Sequence, residues 1–268
     1  MERPPRFSGS TNVYNSIAEE YDAWFDRPGF RNVYDTLAWE HVSRLVPPSR
    51  ALIIDVGCGT GRWAAKWIEA GHRVIGIEEA PAMIEVLRRK NLGARFELLR
   101  CRMEDAVLET ACADLVVAMG SVHYAQDPAC MIKKFGSWTR PGGLVCVYVD
   151  SFVALILELL RCHNLVEAFE RMDSRRGFWK QHGQEAEMHL LDRQALERLF
   201  AQAGLVEVRS YGLLVTASAW GREAYTRAAA EDQAAFLELE RRLSAFPVLA
   251  DVGKHVLVIG RRPNEQPA

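Results

Sequence analysis

The sequence predicts a doubly wound α/β fold around a mostly parallel sheet, and three observations carry that prediction. From residue 51 onward, short β-branched or aliphatic runs alternate with amphipathic stretches. Gly and Pro stand where those stretches start and stop, and the first run leads directly into a glycine-rich turn. Strands that alternate with helices imply right-handed crossovers and a sheet covered on both faces.

In chain order, residues 13 to 45 place Tyr14, Ile17, Tyr21, Trp24 and Phe25 at helical spacing. This predicts an amphipathic segment packed on the sheet, as plain core or as a cover over a ligand. Ala51 to Val56 reads as the first strand because its apolar run leads into Gly57. A helix from about Arg62 to Ala70 stops at Gly71, Arg73 to Glu78 is the second strand, and Pro81 opens a helix to about Lys90. Phe96 to Leu99 and Asp114 to Met119 read as strands three and four. Pro141-Gly142-Gly143 stops a helix from about Pro128 to Thr139, and Leu144 to Val149 is the fifth strand. Phe152 to about Met172 reads as one amphipathic helix, followed by a polar and aromatic stretch from Ser174 to Gly183. Asp192 then caps a helix ending near Gly204, Val206 to Tyr211 and His255 to Ile259 resume strands, and 221 to 246 reads as helical. The chain thus divides into an N-terminal helical cover at 1–45, an α/β core at 46–150, a substrate-cover insertion at 151–190, and the completion of the core with a helical insertion at 191–268.

Composition narrows the function classes. The 268 residues carry 33 Lys plus Arg against 35 Asp plus Glu, a net charge of -2, with 49% hydrophobic residues, so disorder is excluded. The longest apolar run, Phe152 to Leu157, closes at Glu158 and falls far short of the roughly 20 residues of a membrane span, so no membrane partner is expected. Residues 1 to 12 lack an apolar leader core, which predicts a cytoplasmic protein. The six cysteines form no Cys-x-x-Cys pair and read as reduced, mostly buried small hydrophobes, with no metal expected. Balanced charge argues against nucleic acid, whose binding draws on clustered Lys and Arg, and makes a small-molecule acceptor the expectation. The oligomeric state is left open.

The most informative stretch is Ile53-Ile54-Asp55-Val56-Gly57-Cys58-Gly59-Thr60-Gly61-Arg62. A strand, a Gly-rich turn and a helix N-terminus form an anion site, because the amides point outward and glycine lets the backbone approach a ligand closely. The dinucleotide fingerprint wants its third glycine at position 62, which is Arg, and no Gly-Lys-Ser/Thr ending marks a phosphate cradle. Nicotinamide cofactors are therefore disfavoured. Twenty-one residues after Gly57 the second strand ends in Glu78, placed to accept from ribose hydroxyls. Glu79-Ala80-Pro81-Ala82-Met83, Cys101-Arg102-Met103-Glu104-Asp105 and Arg140-Pro141-Gly142-Gly143 follow at the ends of the next elements.

With these motifs in this order, residues 13 to 150 resemble the class I S-adenosylmethionine-dependent methyltransferases. The resemblance implies a seven-stranded Rossmann-like methyltransferase sheet and S-adenosyl-L-methionine as cofactor. It further implies that Asp55, Gly57, Cys58, Gly59 and Gly61 hold the methionine part, that Glu78 holds the ribose with Glu79 and Met83 at the following helix start, and that Met103 and Glu104 border adenine. Met119 would complete that set. Arg102 stands where the family commonly has an acidic residue. The opening Tyr14-Asn-Ser-Ile-Ala-Glu-Glu-Tyr21-Asp22 is similar to that of small-molecule members related to quinone-biosynthesis methyltransferases, in which an early Tyr reaches the cofactor. Tyr14 takes that role by analogy, with plain packing as the other reading.

Methyl transfer from a sulfonium is an in-line displacement, so catalysis reduces to alignment, exclusion of water and removal of a proton where the acceptor requires it. Ala118-Met119-Gly120-Ser121-Val122-His123-Tyr124 follows the fourth strand, at the carboxyl edge where open α/β folds bind ligands. His123 is the candidate base, a pocket-shaping role being the other reading, and Tyr124 is the second candidate. His163, His182 and His189 are further histidines near the insertion. Arg175, Arg176 and Lys180 interleave with Phe178 and Trp179 as a possible seat for an acidic or aromatic acceptor, a solvated loop being the alternative. No Asn/Asp-Pro-Pro-aromatic tetrapeptide, Pro-Cys, paired-Glu hairpin or metal carboxylate set is present, which points to a small, aromatic, secondary-metabolite-like acceptor methylated at O, N or C. A noncatalytic cofactor-binding partner subunit and a nicotinamide-dependent oxidoreductase are the alternatives.

Overall fold

The computed structural model describes residues 9–48 and 50–264. Residues 1–8, on which the leader reading largely rests, lie outside the described residues. Nine strands follow in chain order: β1 Leu52–Val56, β2 Arg73–Glu78, β3 Phe96–Arg100, β4 Ala113–Met119, β5 Thr139–Asp150, β6 Arg176–Gln181, β7 Gln184–His189, β8 Val206–Leu213 and β9 His255–Arg261. Seven of them form one sheet in the order β3-β2-β1-β4-β5-β9-β8, and β6 and β7 pair as a separate hairpin. β9 runs antiparallel to both its neighbours, while β1 to β5 are parallel. This is the doubly wound, mostly parallel seven-stranded architecture expected, and the strand order reverses between β1 and β4.

Both faces of the sheet are covered because β1 alternates between two cores. Ile53 packs with Leu37, Val42, Trp63 and Trp67 on one side. Ile54 and Val56 pack with Ile132, Phe135, Trp138 and Phe200 on the other. Burial on both faces favours apolar, β-branched residues, and the strand pattern of the sequence reflects this.

Three segments differ from expectation. The helix predicted over Phe152 to Met172 is two, Phe152–Arg161 and Leu165–Ser174. His163 adopts φ 55° and Asn164 accepts from the Glu167 amide at 3.2 Å, a local cap that outcompetes continuation. The stretch after Ser174 folds as the β6–β7 hairpin, with Gly183 at φ 74° in its turn. Residues 221 to 246 are also divided, because the Asp232 carboxylate accepts from the Ala235 amide and starts a new helix at Gln233. The N-terminal segment comprises helices Gly9–Tyr21, Ala23–Asp26 and Phe30–Ser43. The hairpin tip rests on the first of them: His182 Nδ1 is 3.1 Å from Ser16 O, and its Nε2 is 3.2 Å from Glu20 Oε1. The cysteines are all free, but only Cys58 and Cys146 are buried, whereas Cys130 and Cys162 are exposed on helix ends. Among the described residues no helix is long and apolar enough to cross a membrane, and no cluster of His, Cys, Asp or Glu could hold a metal.

Candidate active site

At the carboxyl edge of β1, the Gly57 and Cys58 amides both donate to Ile77 O, at 2.8 and 3.0 Å, tying the glycine loop to the end of β2. Gly57 has φ +71°, and a Cβ there would lie 2.5 Å from Ser121 Cβ, so the loop passes the end of β4 only without a side chain. Glu78 is drawn into the same loop. Its Oε2 accepts from the Gly59 amide at 2.9 Å, and its Oε1 accepts from the Glu79 and Ala80 amides at 2.9 and 2.8 Å. Burial raises its pKa, and those amides partly offset the effect. Asp55 lies beneath the loop with Oδ2 buried and without a hydrogen-bond partner. Burial, with Glu78 beside it, pushes its carboxyl up to about 7.

Ten of the predicted cofactor residues line one cleft here: Tyr14, Asp55, Gly57, Cys58, Gly59, Glu78, Glu79, Met103, Glu104 and Met119. Gly61 and Met83 do not line it. Gly61 is the left-handed residue before the helix Arg62–Glu69, against Leu87, and Met83 is fully buried with Ile17, Ala18 and Ala80. Both carry packing, the first because the chain must turn sharply, the second because the helix buries its apolar stripe. Asp35, Asp55, Glu78, Glu79 and Glu104 line this cleft beside Arg62 and Arg102, which pair with Asp35 and Glu104, and the acids outnumber the cations. An acidic lining, amides at the glycine loop and an unpartnered buried carboxylate fit a ligand that carries an ammonium and a sulfonium beside its one carboxylate.

A second cleft opens against the first, and Tyr14, Tyr21, Phe25, Met119, Gly120, Tyr124 and Tyr148 line both. His123 lies in the short 3-10 turn Val122–Tyr124 and lines the second cleft alone, 3% exposed, with Nδ1 buried and unpartnered. Burial lowers its pKa to about 4, so the ring is neutral at physiological pH. Tyr124 packs against its ring at 4.3 Å, and burial raises the Tyr124 hydroxyl, which therefore stays protonated.

Two residues that sequence reasoning missed meet here. Asp150 ends β5 and His255 begins β9, and they are register partners. His255 Nδ1 lies 2.7 Å from Asp150 Oδ1, an ion-pair distance whose angle falls short of a good hydrogen bond, and its Nε2 is buried without a partner. Burial works to raise the Asp150 carboxyl, but His255 and His123 outweigh it and hold the group below the usual carboxylate range. Burial lowers His255 in turn, against the pull of Asp150. An acid closing a strand edge was a usable signal for Asp150. His255 had none, because only the antiparallel direction of β9 brings its first residue to this edge.

Of the insertion candidates, Trp179 and Lys180 reach the second cleft. Arg175 pairs with Asp192 and lies over Phe152, Arg176 lies 3.1 Å from His189, and Phe178 carries Arg171 over its ring. His163 is exposed at the helix break, and His182 holds the hairpin tip, so neither histidine faces the clefts.

Comparison with known proteins adds family and fold similarities. Residues 53–143 match the family model described as a methyltransferase domain. The ubiquinone biosynthesis O-methyltransferase of Xanthomonas axonopodis pv. citri is 28% identical over 50% of this chain and 60% of its own length. The tRNA 5-carboxymethoxyuridine methyltransferase of Escherichia coli is 22% identical over 94% of this chain and 97% of its own. An S-adenosylmethionine-dependent methyltransferase structure from Mesorhizobium loti superposes with a TM-score of 0.56 at 17% identity, covering 85% of this chain and all of that one. Residues 53–143 thus match a methyltransferase domain, and the sheet is of the Rossmann-like kind seen in solved S-adenosylmethionine-dependent methyltransferases. The exclusion of nucleic acid does not stand, since a relative aligned along nearly the whole chain is a tRNA enzyme. Net charge failed as a criterion because it averages over the whole surface and says nothing of the sign within one cleft.

Proposed function

We propose that the protein transfers the methyl group of S-adenosylmethionine to a small, planar acceptor seated in the second cleft. One observation carries this reading: two clefts of opposite character, one acidic and built on the glycine loop, the other aromatic and histidine-lined, share a single wall of Tyr14, Tyr124 and Tyr148. Across such a wall an acceptor atom meets a methyl donor in line. The second cleft leaves about 250 Å³ of accessible space, room for a small molecule. The cofactor supplies an electrophilic methyl on a cationic sulfur when bound. Asp55, Gly57, Gly59 and Glu78 hold it at the methionine and ribose ends, with Met103 and Glu104 at the base.

His123, neutral at physiological pH, accepts the acceptor's proton at Nδ1, and Tyr124 orients the acceptor through a hydroxyl that remains protonated. Alignment and exclusion of water, by the hairpin carrying Trp179 and by the N-terminal helices, supply the rest. A second reading, a nucleoside within tRNA as the acceptor, is favoured by the end-to-end alignment with the tRNA enzyme.

The test is methyl-labelled S-adenosylmethionine offered with a metabolite panel and, separately, with unmodified tRNA. Label in a metabolite supports the first reading, and label in tRNA supports the second. Cofactor binding without turnover on either would make the protein a noncatalytic partner. Glu78→Ala removes charge-assisted hydrogen bonds worth about 1.5 to 3 kcal/mol each, so S-adenosylhomocysteine affinity falls about tenfold to a hundredfold. Unchanged affinity in a folded variant would remove the cofactor assignment.

A further inference from the structure

We infer that the second cleft selects an acceptor bearing an anionic group, a carboxylate or a phosphate ester, and holds that group as an anchor away from the methylated atom. Arg31, Lys180, Arg222 and Lys254 line this cleft, and Asp150 is the one carboxylate that faces them. Four cations against one acid is an unusual concentration in a chain whose net charge is -2. Asp150 is already engaged by His255 at 2.7 Å. Lys180 pairs with Glu185 at 2.8 Å on the exposed hairpin. Among the described residues Arg31, Arg222 and Lys254 form no ion pair with any carboxylate.

The three cations border a common set of side chains in the cleft. Arg31 and Arg222 both act on Tyr225, opposing the burial that raises its hydroxyl. Arg31 and Lys254 both act on His255, where burial is the larger influence. The Arg31 guanidinium is also held over Trp24 at 4.4 Å, which fixes its direction. None of the three lines the glycine-loop cleft. The two adjoining clefts thus differ in charge, the glycine-loop cleft being lined by more acids than cations and the second by more cations than acids. Aromatic walls of Phe30, Tyr34, Trp179 and Tyr225 lie beside those cations and suit the flat body of an acceptor. With Asp150 the one carboxylate set against them, the cations still outnumber their counter-charge, so an anion arriving among them is attracted by each.

This inference rests on the acceptor role proposed for the second cleft, and the experiment separates the two. Phenylacetate, phenyl phosphate and the neutral isostere phenylacetamide are titrated by calorimetry into the full chain, with and without saturating S-adenosylhomocysteine. The same titrations use Arg31→Gln, Lys254→Gln and the Arg222→Gln/Lys254→Gln pair. One or both anions bind at least about tenfold more tightly than the amide, and the preference falls to within about twofold in the paired variant. S-adenosylhomocysteine affinity is retained in every variant, which also reports that each is folded. Whichever anion binds more tightly identifies the group as carboxylate or phosphate. Equal binding of acid and amide, no binding of any probe, or a preference that survives in the paired variant overturns the inference. A wild-type protein that prefers anions yet does not bind S-adenosylhomocysteine would instead sink the methyl-transfer reading and leave the anion site standing.

Discussion

Arg62 Nη2 lies 2.7 Å from Asp35 Oδ2, joining the first residue of the glycine-loop helix to the N-terminal helix Phe30–Ser43. Asp35 also accepts from Trp63 Nε1 at 2.9 Å and from Lys66 Nζ at 2.7 Å, and the Arg62 guanidinium stacks on Phe25 at 4.1 Å. The residue that breaks the dinucleotide fingerprint is thus the hub that fastens the N-terminal cover to the cofactor loop. Glycine at position 62 would permit closer packing of helix on sheet but would leave Asp35 short of a partner.

Asp35→Ala takes the acceptor from Trp63 and Lys66 and leaves Arg62 with Asp26 alone at 3.3 Å. Removing one partner of a buried pair costs about 3 to 5 kcal/mol, so the midpoint of urea unfolding should fall markedly with its slope unchanged. Asp35→Asn keeps the Trp63 bond and should lose less. An unfolding midpoint within error of wild type for Asp35→Ala would show that the cover is fastened elsewhere.

Asp55 gives a pH dependence with a definite sign. Its carboxyl holds a proton up to about pH 7, because burial and Glu78 disfavour the charge, whereas an unfolded or solvated aspartate releases it near pH 4. A bound ammonium favours the carboxylate, so binding expels that proton wherever it is still held. S-adenosylhomocysteine affinity therefore rises with pH up to about 7 and then levels, with proton release that makes the binding enthalpy depend on buffer ionisation below pH 7. Asp55→Asn should bind with a flat profile and no proton release. A rise that persists in that variant would assign the proton to another group.

How much of this was legible in sequence depends on how local each signal is. β1, its glycine loop and Glu78 were readable because a strand, a turn and a helix start lie within a short stretch whose residue types have few other uses. The break at His163 was not, since Leu159, Leu160, Leu165 and Val166 keep an apolar pattern across it and only the Asn164 cap interrupts the helix. The hairpin carrying Trp179 looked like a loop because its sheet has two strands and its residues are largely polar. The charge of the second cleft was the least legible, for Arg31, Lys180, Arg222 and Lys254 come from four separate segments and meet only in the fold.

The N-terminal helices and the β6–β7 hairpin touch through Tyr14 and Trp179, whose rings are 5.1 Å apart, as well as through His182. Segments that gate a site come from the less stable part of a fold. Hydrogen exchange over 13–25 and 151–190 should slow on binding of S-adenosylhomocysteine, more than over the distal helix Gln233–Ser244. Uniform protection, or none in the two segments, would mean that they are static walls.

His123 is tested through both its rate and its ionisation. Burial holds its pKa at about 4, so the neutral ring needed to accept a proton is already present at pH 6, and kcat/KM should rise through about pH 4 to a plateau. A positioned base contributes about a hundredfold to ten-thousandfold, so His123→Ala should lower kcat by at least about a hundredfold while cofactor affinity stays within a few fold. His123→Asn, which preserves some of the shape, should lose somewhat less and should also lack the acidic limb. His123 lines the second cleft and not the glycine-loop cleft, so a purely architectural role predicts a different split: a raised KM for the acceptor with kcat held. Retention of the acidic limb in His123→Asn would pass the role of base to His255, whose Nε2 is also buried without a hydrogen-bond partner. His255→Asn would then be expected to remove that limb and His123→Asn to leave it, so the two single variants together assign the proton to one ring.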